Sequence, residues 1–126
     1  MSNITILAHD EHIQMDPAAL SALHAQLGEA GAEGVMSRTM EELANRLSLV
    51  ERCYYQGNMD ALWKAAKGMI GTAEHVGLLS LAQVASDVAD AARGDDTVAL
   101  AAVLGRLIRL GDRSLTAVWD APEMSV

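Results

Sequence analysis

GNMDALWKAAKGMIGTAEHVGLLSLAQVA, residues 57–85, is the stretch on which the fold turns. Within it Leu62, Ala66, Met69, Ala73 and Val76 recur at alternating steps of four and three, the stripe that a helix turns toward a core. The spacing predicts a helix from about Asp60 to His75. Gly57-Asn58 stops the element before it and Gly77 marks the break after it. Beyond that break Leu79, Leu81, Val84, Ala85, Val88 and Ala91 form a further helix, closed by Arg93-Gly94.

The same periodicity extends in both directions. Asp95-Asp96-Thr97 offers an N-terminal cap, and Leu100, Val103, Leu104, Leu107, Leu110, Leu115 and Val118 make a last helix. Toward the N-terminus, Val35, Met36, Met40, Leu43, Leu47, Val50 and Tyr54 recur at helical spacing, with Arg38, Glu41, Glu42, Arg46, Glu51 and Arg52 among the polar positions between them. Gly31 to Gly34 separates this run from a short first helix over 17–28, which Asp16-Pro17 starts and Leu20, Leu23 and Leu27 stripe. Residues 1–15 lack periodicity and read as an extended or loose arm; 120–126 read as a tail. Four long helices with short connections predict an all-α, antiparallel up-and-down four-helix bundle over 16–119, with the short first helix capping one end.

Composition agrees with that class. A chain of 126 residues forms one domain with room for a core. Half of it is apolar, yet there is no Phe and only Trp63, Trp119, Tyr54 and Tyr55 are aromatic, so Leu, Val, Met and Ala must fill the interior. The seven methionines are dispersed and read as core filler. A formal charge of −8 disfavours nucleic acid and anionic membrane surfaces as partners. Residues 1–14 do not read as a signal peptide, and no apolar run is long enough to span a membrane. The lone Cys53 has no partner for an internal disulfide and suits a reducing, cytoplasmic setting; it reads as packing.

Ala65-Ala66-Lys67-Gly68-Met69-Ile70-Gly71-Thr72-Ala73-Glu74-His75-Val76-Gly77 resembles, without a gap, the phosphorylation-site helix of histidine-containing phosphotransfer (Hpt) domains, whose usual pattern is AxHxLKGxAxxxG. Met69, Gly71, Gly77 and the small residues match. Lys67 stands at the phosphoacceptor position in place of the histidine, and Ile70 at that of its helper lysine. The likeness runs from about Met15 to Trp119, taking in the cap-like MDPAALSALHAQLGE and the turn AARGDD. It implies a four-helix bundle with a short cap helix. It also implies a place in two-component signal transduction and a response-regulator receiver domain or a histidine kinase as partner.

The chemistry departs from the family. A neutral imidazole is nucleophilic near neutral pH, whereas a lysine ammonium on an exposed helix stays protonated and is a poor nucleophile. No phosphotransfer is therefore expected at Lys67, and no catalytic residue, metal or cofactor is assigned. His75 lies eight residues on, about 80° around the helix and about 12 Å along it, out of reach of a group docked at Lys67. His24 belongs to the cap helix. His9 and His12, in HDEH, have i, i+3 spacing but lack the three or four converging ligands that a metal site needs.

What remains is a face for docking. Asp60, Trp63, Lys64, Ile70, Gly71 and Glu74 fall within about 60° of Lys67 at 100° per residue. Trp63 and Ile70 read as large apolar groups opposite the core, and Gly71 as a gap that lets a partner's backbone approach. Trp63 equally suits packing against a neighbouring helix, and Lys64, Lys67 and Asp60 suit ordinary solvated positions. The sequence leaves three functions open: a phosphotransfer-deficient adaptor, a phosphotransfer protein using another histidine, and a helical interaction or homodimerisation protein outside signalling.

Overall fold

The computed structural model describes the backbone over residues 4–8 and 11–120 and the side chains over 16–116. Its body is all-α: α1 (Pro17–Tyr55), α2 (Met59–His75), α3 (Leu79–Ala92) and α4 (Thr97–Asp120). Each helix packs along the next, and α4 also meets α1. Ahead of them Ile4–Ala8 (β1) and Glu11–Met15 (β2) pair antiparallel, with Ile6 opposite Ile13, and β2 lies against α3 and α4. Where the sequence leads one to expect an extended or loose arm, the described residues are extended and paired. The side chains of His9, His12, Val118 and Trp119, and the whole 121–126 tail, lie outside the described residues.

Within α1 the backbone breaks at Gly28, where the short first helix is expected to end, but the second helix starts directly after it and not beyond Gly34. The chain stays helical through the Gly31–Gly34 stretch, and the break falls at Gly28, whose φ of 72° and ψ of 176° only glycine adopts readily. Glu29, Ala30, Ala32 and Glu33 are adequate helix formers, and Ala32 is buried at 3% exposure, so tertiary packing holds this turn against the cost of two glycines.

The segment before the kink lies across the α2–α3 turn. The Asp16 amide donates to the Gly77 carbonyl at 2.7 Å, and Leu23 is buried. A β-carbon at Gly77 would stand 2.7 Å from the Asp16 carbonyl oxygen, and φ there is +78°, so both backbone conformation and contact require glycine. Side-chain caps start α1 and α4 as expected, and Asn58, read from the sequence only as a stop, caps α2. Asp16 Oδ1 accepts from Ala18 N–H, Asn58 Oδ1 from Ala61 N–H and Asp96 Oδ1 from Ala99 N–H.

The core is built as the stripes predict. Leu43, Leu47 and Val50 of α1 meet Leu62, Ala66, Met69 and Ala73 of α2, Leu81, Val84 and Val88 of α3, and Leu104, Leu107 and Leu110 of α4, with Cys53 among them. Gly111 lets α4 approach α1 closely: a β-carbon there would lie 2.5 Å from Leu47 Cδ1. Ser114, also on α4, is fully buried, and its hydroxyl has no hydrogen-bond partner among the described residues.

Candidate functional site on the exposed ridge of α2

Helix α2 is held by neighbours on two sides, and its remaining ridge is open. Asn58 caps it, and Asp60 sits in its first turn, where a carboxylate favours the positive end of the helix dipole. Five buried residues, Leu62, Ala65, Ala66, Met69 and Ala73, anchor the inner face. At 100° per residue Lys67 then points straight out, with Trp63 and Ile70 to one side and Lys64, Gly68 and Gly71 to the other.

On the side facing α1, Arg46 lies over Gly68. A β-carbon at Gly68 would collide with the guanidinium, meeting its Cζ at 2.9 Å. Arg46 Nη2 is 3.9 Å from Glu42 Oε1, and the Thr72 hydroxyl donates across to Glu42 Oε2 at 3.1 Å. The glycine thus seats an arginine from the neighbouring helix. Arg46 Nε is buried there without a hydrogen-bond partner.

On the other side Trp63 is half-buried. It packs against the core cluster, and its outer face carries Arg93 from the end of α3, with Cζ 3.8 Å from the ring centroid. Lys67 Nζ lies 5.8 Å from the same centroid. Ile70 is half-buried against the same cluster. Trp63 and Ile70 are therefore flank residues, half in the core, and do not stand opposite it as the sequence suggests. The free ridge is not centred on Lys67: Trp63 and Ile70, about 40° to 60° to one side, reach the core cluster, whereas Gly71 and Lys64, equally far to the other side, stay exposed.

The crest itself is polar and open. Lys64 and Asp60 pair at 3.4 Å while both stay largely exposed, an i, i+4 contact worth about 0.3–0.5 kcal/mol at most. Lys67, Gly71 and Glu74 are exposed, and nothing within 4 Å would meet a β-carbon at Gly71. His75 and His24 are exposed on other parts of the surface. Among the described residues no group of three or more His, Cys, Asp or Glu side chains is placed to hold a metal ion. No described helix is long and apolar enough to cross a membrane.

The structure thus brings Asp60, Trp63, Lys64, Lys67, Ile70, Gly71 and Glu74 onto one side of one helix, as the spacing requires. It adds two residues that the sequence reading did not place there, Arg46 and Arg93. Arg93 is thirty residues from Trp63, and no local signal ties the two together. No protein-family model, curated protein or solved structure matches this chain.

Proposed function

We propose that this protein is an Hpt-like signalling module of a two-component phosphorelay that docks a receiver domain or a histidine kinase without transferring phosphate. In this reading the four helices form an antiparallel up-and-down bundle, and Pro17–Leu27 is the cap over one end. The module works in the cytoplasm as a binding protein, by competition, sequestration or scaffolding. The observation that carries the reading is the pair Lys67 and Gly71. A cation stands at the crest of the motif helix where the resemblance leads one to expect histidine, and one turn on the backbone is bare. Gly71 costs the helix about 1 kcal/mol relative to alanine, and no contact within the molecule needs the gap. A partner's close approach is a use for it.

The experiment is binding to a panel of receiver domains from the same genome, read by Trp63 fluorescence in a Trp119→Phe background. The expected result is saturable binding, weakened at least tenfold by Ile70→Asp with far-UV circular dichroism unchanged. No binding to any receiver or kinase would overturn the proposal.

A second reading has its own observation. Tyr55 and Val98 are both 78% exposed, near the ends of α1 and α4 where turns join the helices. Large apolar groups left in water suit a helical interaction or homodimerisation protein outside signalling. Concentration-dependent size in sedimentation, together with silence toward every receiver, would favour it. Phosphotransfer through His75 or His24 would instead show as an acid-labile phosphoryl group, lost in His75→Ala or His24→Ala.

A further inference from the structure

The chain contains 17 acidic and nine basic residues, yet both of its lysines, Lys64 and Lys67, stand on the ridge of α2. Arg93 joins them from the end of α3 by lying on the Trp63 ring. Lys64 is engaged by Asp60. Among the described residues neither Lys67 nor Arg93 has a carboxylate within ion-pairing distance; what they share is the indole. Their charged atoms lie no more than about 10 Å apart, as the two centroid distances require, so their fields overlap on the scale of the ~8 Å screening length at physiological salt.

We propose that Trp63, Lys67 and Arg93 form a cradle for a carboxylate-bearing segment of a protein partner, with the two cations as the recognition element and the indole as the platform that fixes them. This rests on the docking role proposed above for the same ridge. The argument is charge complementarity. In a chain with nearly two carboxylates for every cation, and with Asp90, Asp95 and Asp96 within three residues of Arg93, two cations without an ion pair among the described residues gather at one aromatic ring. The net charge of −8 repels acidic segments at long range, so recognition of one must come from short range, where carboxylates can pair with the two cations. Arg93 is the closer of the two to the ring. A guanidinium stacked on an aromatic face keeps its edge N–H groups free to donate, so the contact with Trp63 orients the fork without using its hydrogen bonds. Lys67 adds a mobile ammonium beside it. An acidic helix end or loop with two carboxylates at neighbouring positions fits this arrangement.

The test uses the full chain with Trp119→Phe and an Asp/Glu-rich decapeptide as probe, followed by Trp63 fluorescence, with a Lys-rich decapeptide as control. The expected result is saturable binding of the acidic peptide, whereas any binding of the Lys-rich peptide to the acidic surface should be indifferent to the cradle variants. Acidic-peptide binding should weaken at least fivefold in Lys67→Gln and in Arg93→Gln and stay unchanged in the distant charge-matched variant Arg38→Gln. Absence of saturable binding, or equal weakening in Arg38→Gln, would overturn the cradle. The same variants against a receiver that binds separate the two proposals. Receiver binding that is sensitive to Ile70→Asp but indifferent to Lys67→Gln and Arg93→Gln keeps the docking face and removes the cradle. Acidic-peptide binding with silence toward every receiver and kinase keeps the cradle and removes the phosphorelay.

Discussion

Arg46 of α1 rests its guanidinium on the backbone of Gly68 in α2, in the space that a β-carbon would take. Glu42 lies beside it, 3.9 Å away, and links through the Thr72 hydroxyl back to α2. Gly68 therefore has a packing role, whereas Gly71, one turn along the same helix, has none within the molecule. The two glycines look alike in sequence and should respond differently to substitution.

Gly71→Ala should raise stability by about 0.5–1 kcal/mol, because alanine is the better helix former and its methyl group meets nothing. Chemical denaturation followed by circular dichroism measures this. If the docking reading holds, the same variant weakens receiver binding, so stability and affinity move in opposite directions.

Gly68→Ala should gain less than Gly71→Ala, since the new methyl group displaces Arg46 from its seat. The displaced atoms are the end of a flexible side chain, so the loss is about 1 kcal/mol or less, enough to cancel the propensity gain. In an Arg46→Ala background the gain should return. A double-mutant cycle between positions 46 and 68 measures that coupling, and a value of zero would mean that the contact has no energetic weight.

Gly111→Ala should destabilise by about 1–2 kcal/mol in spite of better helix propensity. The added carbon would lie 2.5 Å from Leu47 Cδ1 and 3.3 Å from its Cγ. Leu47 is itself only 6% exposed, so its side chain has little room to move. Gly111→Ala combined with Leu47→Ala should be less damaging than the sum of the two single changes, as a shared contact requires.

Lys67→His together with Ile70→Lys rebuilds the phosphotransfer motif on the exposed ridge. On the proposed function, incubation with a phosphorylated receiver should give an acid-labile, base-stable phosphoryl group in this variant and none in the parent chain. A parent chain that becomes labelled would show that another group accepts phosphate.

The helices were legible because their signal is local. A buried face repeats every three to four residues, so Leu62, Ala66, Met69 and Ala73 announced an inner stripe, and all are fully buried or nearly so. Asp16 and Asp96 announced starts for the same reason, since a cap acts two or three residues away, whereas Asn58, read as a stop, also caps α2. The end of the first helix at Gly28 was legible, but the stretch from Gly31 to Gly34 misled because local propensity favoured a longer break, while burial of Ala32 holds it helical.

The sequence by itself determined the helical class, the inner stripes and the set of residues that share the outer face of α2, because each depends on spacing along one element. Only the tertiary structure decided what stands beside that face. Trp63 and Ile70 became half-buried flanks once neighbours closed on both sides of α2. Arg46 came to Gly68 from twenty-two positions upstream, and Arg93 came to Trp63 from thirty positions downstream. Contacts between elements depend on how helices cross and how far long side chains reach, and no spacing within one segment encodes either.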